Sequence, residues 1–170
     1  MLGAVGGVFF SSPQPPKSLA KAVIATPVSL EIPAIGVNAT VEFVGLDKYG
    51  NMDIPKNVYH VGWYSLGVKP GENGQAVMAG HLNTPELTPS VFWNLKNLKP
   101  GDVIIVQNEN GREVNFAVRE VRSVDTAEFP VQEIFGPSSK PQLNLITCDG
   151  YFDRKEGTYN RRIVVYSDLR

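Results

Sequence analysis

The single cysteine, Cys148, follows the apolar run Leu143-Asn144-Leu145-Ile146-Thr147 and precedes Asp149-Gly150. A thiol at a strand end, facing a polar loop, is held on a rigid support where a substrate can reach it. A cysteine flanked by core residues acts instead as a small inert hydrophobe. Position alone leaves both readings open. Nucleophilic use requires a nearby cation or base, because a free thiol has a pKa of about 8.5. His81 has a matching setting: it ends a second apolar run, Ala76-Val77-Met78-Ala79-Gly80, and opens the polar stretch Leu82-Asn83-Thr84-Pro85. His60, in Val58-Tyr59-His60-Val61-Gly62, lacks that setting and reads as a surface or packing residue. A third, basic element stands before the last apolar run, where Arg161 and Arg162 precede Ile163-Val164-Val165-Tyr166. Side chains alternate along a strand, so only one of the two arginines faces the thiol. A guanidinium there donates to a developing oxyanion or orients a carbonyl.

The elements that position these residues read mostly as strands. Residues 29–32 and 39–44 alternate apolar with polar or small residues around Pro33 and Gly36, as half-buried strands do. Residues 52–55 form a short extended piece, and 57–66 a short helix or an aromatic-rich loop. The run 76–80 is continuously apolar, as in a strand buried on both faces. Val91, Phe92, Leu95 and Leu98 recur at helical spacing after Thr88 and Ser90, two candidate caps, which predicts a helix ended by Lys99-Pro100-Gly101-Asp102. Asn110-Gly111 between two alternating runs predicts a hairpin over 103–107 and 113–124. One helical turn is expected over 129–135, strands over 142–147 and 163–166, and a mobile polar loop over 149–160. About eight short strands with one or two short helices make a mainly β chain, a single closed eight-stranded barrel.

Composition narrows the function. The 170 residues suit one domain of roughly 100–200 residues. With 16 Lys+Arg against 17 Asp+Glu the net charge is -1, which gives no electrostatic case for nucleic acid. Gly 16 and Pro 13 favour turns and short strands over a helical bundle. One cysteine forms no internal disulfide, and a zinc site from His60, His81 and Cys148 would need a carboxylate partner. The apolar residues 1–10 are too short to span a bilayer, which takes about 20. They read either as a leader or as the remnant of a membrane anchor, followed by the proline-rich linker Ser11-Ser12-Pro13-Gln14-Pro15-Pro16-Lys17-Ser18. The division is therefore 1–27 for leader and linker and 28–170 for the folded domain.

Taken in chain order, these residues resemble the sortase family of cysteine transpeptidases. Ala79-Gly80-His81 is similar to its small-Gly-His segment, Leu145-Ile146-Thr147-Cys148 to its Leu-x-Thr-Cys motif, and the arginine pair to its catalytic arginine. Phe92-Trp93-Asn94-Leu95 and Lys99-Pro100-Gly101-Asp102 agree, so that the resemblance runs over roughly Val28–Ser167. It differs at Asn144, where many sortases carry Thr. The short chain looks more like the housekeeping-type or the D, E and F branches than like the pilin-polymerising branch. The resemblance implies a sortase-like barrel with Cys148 as nucleophile, His81 as acid and base, and Arg162 as the catalytic arginine, Arg161 being the alternative. Thr147 and Asp149 would support the oxyanion or the substrate. No cofactor and no metal is implied. The implied partners are a secreted protein bearing an LPxTG-like sorting signal, cut between Thr and Gly through a thioester, and an acceptor amine from a peptidoglycan precursor or a protein lysine. The implied location is the extracytoplasmic face of the membrane or the cell wall, with an N-terminal anchor that this chain need not include. Val121, Val131, Ile134 and Phe135 are groove candidates that individually read as core. The rival readings are a cysteine hydrolase using the same Cys–His pair and a non-catalytic, wall-associated barrel module with an inert thiol.

Overall fold

A computed structural model describes residues 24–170. The apolar leader and most of the linker assigned to 1–27 therefore lie outside the described residues. Eight strands, β1 (Pro27–Ile32), β2 (Val37–Val44), β3 (Val61–Tyr64), β4 (Gly74–Gly80), β5 (Val103–Asn108), β6 (Glu113–Asp125), β7 (Pro141–Asp153) and β8 (Thr158–Leu169), close into a barrel in the order β1-β2-β3-β4-β7-β8-β6-β5. The β2–β3 and β4–β7 pairings are parallel and the rest antiparallel. Closure leaves no open sheet edge.

Alternation along the strands sorts the apolar residues into two clusters. Leu30, Met78, Ile104, Phe116, Leu143, Leu145 and Val165 fill the barrel. Val77, Ile146, Val164 and Tyr166 point to the outer face of β4, β7 and β8, where Ile134 of the short helix α1 (Val131–Phe135) covers them. The second cluster fixes the segment that runs over this face, and the candidate residues stand at its end.

Three local expectations are corrected. The helix predicted after Thr88 and Ser90 is a series of turns with one 3-10 turn, Leu95–Asn97. Here the amides of Val91 and Phe92 bond instead to the carbonyls of Val58 and His81, and the buried Ser90 hydroxyl has no partner among the described residues. The helical spacing reflects Phe92, Leu95 and Leu98 plugging the barrel core. Residues 61–64, read within a helix or loop, form β3, paired parallel to β2. The polar stretch 149–160 is no mobile loop: β7 and β8 continue as a hairpin to Asp153 and Thr158, with a register irregularity between Asp149 and Phe152. Cys148 therefore lies inside β7, at the limit of its buried part rather than at the strand's end.

Gly80 lets the 91–98 segment lie against β4. A Cβ on it would sit 2.5 Å from Phe92 Cδ2 and 2.8 Å from Val91 Cγ1. Phe92 is fully buried and has little room to yield. Gly80→Ala is therefore expected to cost about 1–3 kcal/mol by overpacking, read as a lowered urea midpoint with an unchanged slope.

Candidate active site

The register brings the candidate residues to one face. Val77 pairs with Asn144 and Ala79 with Ile146 across the parallel β4–β7 ladder, and Ile146 pairs with Val164 and Cys148 with Arg162 across β7–β8. Ala79, Ile146 and Val164 all belong to the outer cluster. One pleat further along β7 and β8 stand Cys148 and Arg162, and His81 is the first residue after β4. Thr147 pins the β4 and β7 ends together, its Oγ1 donating to the Gly80 carbonyl at 2.8 Å. The outward row thus ends in an imidazole, a thiol and a guanidinium.

Cys148 is half-buried. Burial pushes its thiol above the ordinary range, and the charge of Arg162 acts in the opposite direction. The resting group is therefore a thiol. Arg162 is held from several sides. Nη1 donates to the carbonyls of Tyr159 (2.8 Å) and Arg161 (2.9 Å) and, at 3.4 Å, to Thr126 Oγ1, while Nη2 donates to Thr158 Oγ1 at 2.9 Å. A guanidinium has five N–H donors, so Nε–H and one Nη2–H have no acceptor among the described residues. No carboxylate there pairs with it either. This is a fixed, uncompensated charge with donors to spare beside a thiol.

His81 Nε2 lies 2.9 Å from the carbonyl oxygen of Pro55. A carbonyl only accepts, so Nε2 carries a hydrogen, and in the neutral ring Nδ1 is the acceptor nitrogen. The backbone is tied as well, with the Phe92 amide donating to the His81 carbonyl at 3.0 Å. Two residues on, the Asn83 amide group meets the Tyr159 hydroxyl at 2.9 and 3.1 Å. Tyr159 thereby links the histidine loop to the strand of Arg162. Neither Tyr159, Asn83, Thr126 nor Pro55 was legible as part of the site, because each acts through pairings that span dozens of residues.

The other candidates are placed as follows. Arg161 lies opposite Asp149 and turns to the other face, where Nε donates to Ser123 Oγ at 2.8 Å and Nη2 to the Ser123 carbonyl at 2.9 Å. Asp149 Oδ2 accepts from Ser123 Oγ at 2.7 Å. Thr147 is buried against Gly80, and Arg161, Asp149 and Thr147 all sit off the face that carries Cys148. His60 Nδ1 lies 2.9 Å from Glu42 Oε1. Of the groove candidates, Ile134 is fully buried, Val121 and Phe135 are packed on the core clusters, and Val131 is exposed. Among the described residues no three His, Cys, Asp or Glu side chains are grouped to hold a metal ion, and no helix is long and apolar enough to cross a membrane.

A closed barrel carrying a thiol, an imidazole and a guanidinium on one rim has the equipment of a cysteine acyl transferase. The sortase domain model matches residues 30–170, and the chain belongs to the sortase family, whose members are cysteine transpeptidases. No curated protein matches it. Among solved structures, a lid mutant of sortase A from Corynebacterium diphtheriae is similar with a TM-score of 0.64 and 22% identity, over 85% of this chain and 70% of that one. Sortase C-1 from Actinomyces oris gives 0.65 and 24%, over 85% and 74%. Sortase A from Listeria monocytogenes gives 0.65 and 22%, over 86% and 88%. At these identities the likeness carries the fold, and it spans both A-type and C-type sortases.

The electrostatics give a direct expectation. Iodoacetamide should alkylate Cys148 slowly at neutral pH and faster as pH rises through the raised thiol pKa. Arg162→Ala should push that pKa further up and slow alkylation at neutral pH. Arg162→Lys should shift it less, and Arg161→Ala should leave the profile near that of the unmodified chain.

Proposed function

We propose that the chain cleaves an LPxTG-like sorting signal between Thr and Gly and transfers the acyl group to an amine, with Cys148, His81 and Arg162 as its catalytic residues. The observation that carries this reading is the pairing of Cys148 with Arg162, one pleat beyond the outward row of β4, β7 and β8, with His81 directly after the β4 end that Thr147 ties to β7. The Cys148 sulfur attacks the Thr carbonyl carbon as its proton passes to His81 Nδ1. The negative charge that develops on the carbonyl oxygen is met by the free donors of Arg162, already fixed before the substrate arrives. Collapse of the tetrahedral adduct breaks the Thr–Gly bond, and the proton on His81 goes to the leaving amine. A thioester remains on Cys148. The acceptor amine then attacks it, gives its proton to His81, and expels the sulfur, which is reprotonated. Atoms and charge balance without a cofactor.

The partners in this reading are a secreted protein bearing the signal and an amine on a peptidoglycan precursor or a protein lysine. The site of action is the extracytoplasmic face of the membrane, with residues 28–170 as the catalytic domain. Thr147 and Asp149 support the site indirectly, Thr147 by tying β7 to Gly80 and Asp149 by holding Ser123. The arginine in contact with substrate is Arg162 rather than Arg161.

A labelled Leu-Pro-x-Thr-Gly peptide incubated with and without a small amine separates the outcomes. Ligated product that grows with amine concentration is expected. Cys148→Ala should abolish it, and His81→Ala should lower kcat by roughly 10²–10⁴. Amine-independent release without ligation would make the chain a hydrolase, and no release from any such peptide would favour the inert module.

A further inference from the structure

The loop between β2 and β3 delivers the Pro55 carbonyl to His81, and a carboxylate outside the catalytic set organises that loop. Glu42 of β2 accepts from the amide of Lys56 at 2.9 Å through Oε2 and from the amide of Asn57 at 3.1 Å through Oε1. Its Oε1 also meets His60 Nδ1 at 2.9 Å. These are the residues that follow Pro55. The Lys56 amide above all holds the Glu42 carboxyl below its ordinary range, so it is an anion with both oxygens engaged.

Two further observations fix the same geometry. Glu42 pairs with Gly62, and Gly62 with Ala79, so Glu42 shares the outward row that runs through Ala79, Ile146 and Val164 and stops one pleat short of His81. A Cβ on Gly62 would lie 3.1 Å from Pro55 Cδ and 2.9 Å from Val44 Cγ1. The missing side chain is the seat of the buried Pro55 ring. The proline is thus packed from below by Gly62 and drawn in on its C-terminal side by Glu42, which leaves its carbonyl on His81 Nε2.

We propose that Glu42 is a positioning residue for His81: by gathering the Lys56 and Asn57 amides and the His60 ring, it holds the Pro55 carbonyl on Nε2 and keeps Nδ1 as the proton-exchanging nitrogen. This rests on the reading of His81 as acid and base, but the ring's tautomer is measurable without turnover. Glu42 touches neither Cys148 nor Arg162, so its effect on the reaction passes through the histidine alone. A neutral amide at position 42 has one acceptor oxygen where three donors converge, and its NH2 group opposes an incoming N–H. The loop then relaxes, and the ring is free to turn or to exchange tautomers.

The test compares the unmodified chain with Glu42→Gln and Glu42→Asp in the folded protein. With two histidines in the sequence, imidazole 15N resonances are assignable. The unmodified chain should show the neutral form of the His81 ring with its hydrogen on Nε2 rather than on Nδ1. Glu42→Gln should mix the two tautomers and lower kcat on the order of ten- to hundredfold, as expected for a misplaced catalytic group, with KM little changed. Glu42→Asp, which retains two acceptor oxygens, should recover part of both. Glu31→Gln, on the exposed side of β1, should change neither. Should Glu42→Gln fail to fold, His60→Ala removes one of the three donors and should move the tautomer and kcat the same way by less. An unaltered ring spectrum in folded Glu42→Gln, or an altered one with unchanged kcat, overturns the positioning role. A chain inert to every peptide whose ring nevertheless responds to Glu42→Gln overturns the acyl-transfer reading and leaves the hold on His81 standing.

Discussion

The site depends on strand register. Cys148 faces Arg162 because β7 and β8 are paired so that Ile146 meets Val164 and Leu145 meets Val165. A slip of one residue would send the thiol to the barrel side and bring Arg161 opposite it. What prevents the slip is the pair of apolar clusters on the two faces of the same strands. Leu143, Leu145 and Val165 are buried inside the barrel, and Ile146, Val164 and Tyr166 beneath α1. Moving the register would exchange these sets and break both, so hydrophobic burial far from any chemistry decides which arginine stands beside the sulfur. The same argument holds across β4 and β7, where the Thr147–Gly80 bond closes the ladder next to His81.

The environment of the thiol balances two opposed effects. Burial raises its pKa, and the uncompensated Arg162 charge draws it down, with burial the larger. A resting thiol is protected from indiscriminate alkylation and oxidation, which track thiolate character. In the proposed reaction ionisation is therefore coupled to attack, and His81 takes the proton. The ring is suited to it: one nitrogen is committed to the Pro55 carbonyl and the other has no partner among the described residues. Arg162 likewise has part of its donor set bonded to the Tyr159 and Arg161 carbonyls and the Thr126 and Thr158 hydroxyls, and part without an acceptor among the described residues. Each of the three groups is therefore held by one side and presented by the other.

Much of this was legible in the sequence, and the losses have physical causes. Cys148 and His81 stood out because each follows a run of apolar residues, and such runs mark the buried part of a strand, which for β7 ends at Cys148 although the strand itself continues to Asp153. The barrel followed from the count of short alternating segments. The choice between Arg161 and Arg162 was open because it depends on pairing over a hairpin whose irregularity between Asp149 and Phe152 a single sequence does not reveal. The 88–98 segment imitated a helix because Phe92, Leu95 and Leu98 all reach one core from irregular backbone. β3 was missed because four residues containing a glycine give too short a period to read. The hairpin beyond Cys148 looked like a loop because both its faces meet solvent, which removes the hydrophobic alternation that marks a strand. Pro55, Tyr159 and Glu42 act through a carbonyl, a hydroxyl and a carboxylate whose partners fall in other strands or loops, and no local pattern marks such a role.

Covalent trapping bears most directly on Cys148 as the nucleophile. The protein is mixed with a Leu-Pro-x-Thr-Gly peptide without an acceptor amine, quenched in acid, and its intact mass and peptide map recorded. A Cys148 nucleophile assisted by Arg162 should yield an adduct equal to the peptide through its Thr, attached to Cys148, released by hydroxylamine as a thioester must be, and absent from Arg162→Ala under the same conditions. An unmodified protein beside a hydrolysed peptide, or an adduct on any other residue, would contradict it.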